Sequence, residues 1–186
     1  MMRNSKMLLS VVMLAAAISA RAQDDARNEH PKVAQVVALD ECDPKTFNMD
    51  PPNGVGPGFC KNVALGAVTE FFTLLNNAKA GNPDPKWDFE PDALTVKEGT
   101  VLNVTDEGGE PHTFTEVAQF GGGFLDPLNG PGQEMVPECT GGFANIAVAR
   151  TRILQGSTVQ ISGLSKGEHR FQCCIHPWMR VTVKVK

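Results

Sequence analysis

Basic charge is in short supply in this chain: 17 basic residues stand against 21 acidic ones, a net charge of −4. That leaves no basic face of the kind that binds nucleic acid. Beyond residue 22 there is no apolar run long enough to cross a bilayer. Aromatic residues are sparse, with ten Phe, two Trp and no Tyr. Neither a heptad nor a Gly-x-y period is present, and the apolar content of 41% is ordinary, so coiled-coil, collagen-like and disordered readings fail. What is there is enough for one or two compact domains: 186 residues can enclose a real core but are too few for a large α/β enzyme.

The start of the chain reads as an address. Arg3 and Lys6 make a short positive segment, Met7 to Ile18 is mostly apolar, and Ala20-Arg21-Ala22 is a small-x-small cleavage signal. Residues 1–22 are therefore expected to be a signal peptide, leaving a soluble exported protein, periplasmic or secreted, with no membrane span. Its loss removes three positive charges and no acid from −4, leaving −7.

Residues 23–32 are polar and expected to be disordered. Val33 to Leu39 reads as a strand, and Val68 to Leu75 as another, although its length also allows a short helix. Asn77 to Pro85 reads as a turn-rich connector. From Trp87 the pattern sharpens: Ala93–Val96, Thr100–Thr105, His112–Val117, Gly156–Leu164, His169–Cys173 and Val181–Val185 alternate between turn signals. Short strands so spaced argue an antiparallel β-sandwich or barrel. Residues 120–143 form a long Gly- and Pro-rich loop, of the kind that more often serves a site than a mere connection.

All five cysteines lie downstream of the signal, in a compartment that favours disulfides, and the odd count leaves one thiol over. Cys42 and Cys60 bracket a Pro/Gly-rich loop that cannot pack itself, so they are the first expected pair. The chemistry concentrates in Phe171-Gln172-Cys173-Cys174-Ile175-His176-Pro177-Trp178-Met179, which holds Cys-x2-His-x2-Met between two strands. Thiolate and imidazole are strong copper ligands and a thioether is a soft, weak one. A second imidazole is needed. Of four histidines, His30 lies in the polar start and His169 is too far along its strand from Cys173, which leaves His112.

The segment Phe171 to Met179 resembles the C-terminal ligand loop of the blue (type 1) copper proteins, the cupredoxin family of plastocyanin and amicyanin, and its spacing is most similar to the amicyanin type. Phe89-Glu90-Pro91, Leu94 to Thr100 and Pro111-His112-Thr113 resemble the family's strand, turn and first-histidine blocks. The likeness runs from Trp87 to Lys186. It implies a cupredoxin-like antiparallel Greek-key β-sandwich over residues 86–186, preceded by an N-terminal extension over 23–85 packed onto or part of the sandwich. It implies one copper ion with His112, Cys173 and His176 as equatorial ligands and Met179 as the axial one. The implied role is that of a one-electron carrier rather than an enzyme, monomeric, with redox partner proteins docking at an apolar rim of His176, Pro177 and Trp178. If Cys173 holds copper, the other four cysteines pair as Cys42–Cys60 and Cys139–Cys174, since strand alternation turns Cys174 away from Cys173. Cys174 itself and an insertion over 118–155 depart from the family pattern.

Other readings fit less well. A copper oxidase centre needs more histidines than the spare His30 and His169, although an accessory copper domain of a redox enzyme remains open. A carrier or storage protein for Cu(I) would cluster Met or Cys, whereas only Met49, Met135 and Met179 follow the signal. Zinc is poorly matched by Met. Gly121-Gly122-Gly123 lacks the lysine of a phosphate cradle.

Overall fold

The computed structural model describes residues 32–62 and 68–186, so the expected signal peptide and most of the polar start lie outside the described residues. Residues 32–186 make one compact unit. Strand β1 (Val33–Leu39) opens it, followed by a single helical turn α1 (Pro44–Phe47) and helix α2 (Phe71–Lys79). Then come β2 (Asp88–Glu90), β3 (Ala93–Val96), β4 (Val101–Asp106), β5 (His112–Thr113) and β6 (Thr115–Val117). A short helix α3 (Ile146–Arg150) precedes β7 (Arg152–Ile153), β8 (Thr158–Ile161), β9 (Gly167–Gln172) and β10 (Arg180–Val185).

Two four-stranded sheets, ordered β2-β1-β4-β8 and β3-β10-β9-β6, carry the fold, with β5 and β7 as a separate pair. Alternation supplies the inner faces. Val36 and Ala38 of β1 and Leu102 and Val104 of β4 point into the same core as Phe171 of β9 and Val181, Val183 and Val185 of β10. The result is an all-β sandwich. It is not uniformly antiparallel: β1 runs parallel to β4 and β3 parallel to β10.

The expected strand over Val68–Leu75 is corrected to helix α2, and the connector expected from Asn77 begins only after it. Phe71, Leu74, Leu75 and Ala78 recur at helical spacing and meet the core, which a strand of this segment would split between two faces. The helix stops at Gly81, whose φ of +77° suits the left-handed position that ends a helix. Strand β1, from the region ahead of the recognisable motifs, lies inside the first sheet between β2 and β4.

His112 to Val117 is not one strand but two. β5 pairs with β7 and β6 with β9, and the chain bends between them at Phe114, which is fully buried and stacked on Phe171. The 118–155 insertion has its own small core of Val117, Val136, Val148, Cys139 and Cys174. Disulfides join Cys42 to Cys60 and Cys139 to Cys174, so the second ties the insertion to the segment that follows β9.

Candidate metal centre

Cys173 is the free cysteine, and it is buried. It follows the last residue of β9, so its side chain continues the inward face of Phe171 while Cys174 points to the insertion. The loop from Cys173 to Met179 closes on itself. The Cys173 N–H donates to the Met179 carbonyl (3.1 Å), and the Met179 N–H to the His176 carbonyl (3.0 Å). The His176 N–H points back at Cys173 Sγ (3.4 Å). A second backbone donor, the Thr113 N–H, reaches the same sulfur (3.4 Å), and Thr113 Oγ1 accepts from the Cys174 N–H (2.7 Å). Strand β5 is thereby pinned to the loop, which brings His112 alongside.

The Nδ1 atoms of His112 and His176 each lie 3.9 Å from Cys173 Sγ. One donor atom from each residue falls within 4.8 Å of the other two, and all three residues are buried. Met179 is also fully buried. The structure thus brings together His112, Cys173 and His176, with Met179 closing the same loop. His169 stands apart, its ring nitrogens taken by Glu116 (2.6 Å) and the Ser165 carbonyl (2.8 Å).

Each of the two imidazoles meets a buried carboxylate on its far side. His112 Nε2–H donates to Asp40 Oδ2 (3.0 Å). His176 Nε2 lies 3.2 Å from Glu110 Oε2, which also accepts from Trp87 Nε1 (2.9 Å). Asp40 takes two further bonds, from the backbone N–H groups of Cys42 and Glu110. Asp106 comes within 4.8 Å of Asp40 and His112, and its buried Oδ2 has no partner among the described residues.

Sequence reasoning missed Asp40, Asp106 and Glu110. Glu110 had a usable signal, since it directly precedes Pro111-His112. Asp40 had none, being 72 residues from the histidine it holds.

The electrostatics of the metal-free centre follow from these contacts. Burial alone would depress both histidines, but it is outweighed. Asp40 and Cys173 hold His112 well above the ordinary value, and Cys173 and Glu110 raise His176 to about 9. Burial would likewise raise the Cys173 thiol, yet the two imidazoles beside it bring it well below the usual range. The sulfur is poised as a thiolate, the form in which cysteine binds metals. One thiolate and two imidazoles in a buried pocket, with a thioether in the same loop, form a donor set suited to copper.

The apolar rim expected at His176, Pro177 and Trp178 is corrected: His176 is 2% exposed, Pro177 is buried and Trp178 is half-buried. Residues ahead of Trp87 and residues of the insertion cover it. Phe47, Val55, Phe59, Phe71, Leu125 and Leu128 line a cavity of about 190 Å³ that reaches His176 and Glu110.

No family model and no curated protein matches the chain. Among solved structures it is similar to a purple cupredoxin from Nitrosopumilus maritimus, at 14% identity over 82% of this chain and 99% of that one, with a TM-score of 0.43. It is similar to a variant plastocyanin of fern, at 17% identity over 82% of this chain and all of that one, with a TM-score of 0.38. A reduced amicyanin variant shares 20% identity over 55% of this chain and 77% of that one, with a TM-score of 0.35.

Proposed function

We infer that the chain is an exported copper protein that passes single electrons, with His112, Cys173 and His176 holding the ion and Met179 as its weak fourth ligand. The convergence of both imidazoles on one buried, free cysteine carries this reading. Copper bound there supplies a Cu(I)/Cu(II) couple. The protein's part is to keep the donors still. Two backbone N–H groups fix the sulfur, two carboxylates fix the rings, and the loop's internal hydrogen bonds fix the spacing of Cys173, His176 and Met179. Donors that need not rearrange when the charge of the ion changes suit a carrier better than a catalyst.

The two disulfides support export into an oxidising compartment. No helix among the described residues is long and apolar enough to cross a membrane. A redox partner would meet the half-buried Trp178 and the layer over His176, where Val55 and Leu125 are both exposed and part of the cavity lining.

The optical spectrum after Cu(II) loading tests the reading. An intense visible thiolate-to-copper band is expected, lost in Cys173→Ser and kept in Cys174→Ser. A colourless loaded wild type overturns it.

A further inference from the structure

We propose that Asp40 and Glu110 are positioning residues that set the copper's reduction potential, one carboxylate acting through each ligand imidazole; this rests on the copper reading above. Both imidazoles turn Nδ1 toward Cys173 and Nε2 toward a carboxylate, so the acid fixes which nitrogen carries the proton and which faces the metal. A neutral acceptor such as a backbone carbonyl orients a ring equally well. A buried anion does more, because through the hydrogen bond it makes the imidazole a better electron donor, and its own charge favours the more positive ion.

The two acids are built into the fold. Asp40 directly follows β1 and accepts from Cys42 N–H, Glu110 N–H and His112, while Glu110 is held by Trp87 Nε1. The bond from the Glu110 N–H to Asp40 Oδ2 links the two arms, so both rings answer to one buried element. Asp40 lies ahead of Trp87, where the sequence likeness begins. On this reading, the N-terminal region reaches into the metal centre rather than only covering it.

The direction follows. Removing either charge weakens Cu(II) binding more than Cu(I) binding and raises the potential. Loss of partners of this kind costs about 10–100-fold in metal affinity, and each tenfold change in the Cu(II)/Cu(I) preference is about 59 mV for one electron. Asp40→Asn and Glu110→Gln keep an oxygen that can accept from the ring but remove the charge. Glu41→Gln, at a partly exposed acid paired with Lys86, is the control for long-range charge.

The experiment is a redox titration of the copper-loaded full chain, followed by its visible band, beside competition for Cu(II) and Cu(I) with chelators. Each of the two buried-acid variants is expected to show at least a tenfold loss of Cu(II) relative to Cu(I) preference, with the band retained. The control should stay at the wild-type potential. Potentials within that of the control overturn the proposal, as does an equal shift in all three variants. If Asp40→Asn does not fold, Glu110→Gln decides alone. Absence of the band from wild type would instead defeat the copper reading.

Discussion

At the scale of single residues, the clearest unbalanced group is Asp106. Burial, helped by the charge of Asp40 and opposed by that of His112, pushes its carboxyl from 3.8 up to about 7. The native state of the metal-free protein then holds a proton that the unfolded chain releases between about pH 4 and 7. Its contribution to stability falls as pH rises through that window and levels off above it, by about 2–4 kcal/mol for a shift of this size. Asp106→Asn keeps an oxygen for the Gly108 N–H and carries no charge. Urea unfolding of the metal-free variant should show a flatter pH profile than wild type from 4 to 7 and about 1–3 kcal/mol more stability at pH 8. Parallel profiles would place the unpaired charge elsewhere. The raised His176 and His112 and the lowered Asp40 and Cys173 are present in both proteins, so the difference reads Asp106 together with its coupling to Asp40 and His112.

At the scale of elements, what the sequence made legible was local. Strand alternation running on past Phe171 separated Cys173 from Cys174, and the structure has Cys173 free and Cys174 joined to Cys139. The Cys-x2-His-x2-Met spacing marked a segment between two strands, and the structure shows backbone hydrogen bonds closing it into a loop. What was not legible depends on tertiary contact. Phe71 to Ala78 has both strand-like composition and helical spacing, and only packing against the core chooses between them. The parallel pairings of β1 and β3 leave no local trace, and the cover over His176 is assembled from segments far apart in sequence.

That cover suggests a test of how tightly the insertion grips the ligand loop. The Phe124 N–H donates to the Cys174 carbonyl (2.9 Å), and a Cβ on Gly123 would meet that same carbonyl oxygen at 2.1 Å. The obstacle is backbone on both sides, so it cannot swing away as a side chain would. Gly123→Ala should cost about 1–3 kcal/mol as an overpacking change, measured by thermal unfolding. Copper-loaded Gly123→Ala should also show a shifted visible band, because the displaced atom belongs to the residue after Cys173. A variant with the stability and spectrum of wild type would mean the insertion lies on the loop without constraining it.

For the molecule as a whole, the question is whether the candidate centre needs a metal to exist. In small zinc domains the ligands are strung on a chain with little core, and metal binding is folding. Here the centre belongs to the main core: Cys173, Met179 and Ile175 share one apolar cluster with Val36, Leu102, Phe114 and Val183 from both sheets. The donors are already placed by hydrogen bonds that involve no metal, from Thr113 and His176 to the sulfur and from the two imidazoles to Asp40 and Glu110. Chelation should therefore leave a folded protein with its near-ultraviolet circular dichroism largely intact, and restored copper should return the colour without a refolding delay. Copper should still raise the unfolding free energy by mass action, about 4 kcal/mol at a thousandfold excess over its dissociation constant. A stripped protein that loses its tertiary signal, or regains colour only at the rate of refolding, would show that the ion assembles the site and that the sandwich does not hold it ready.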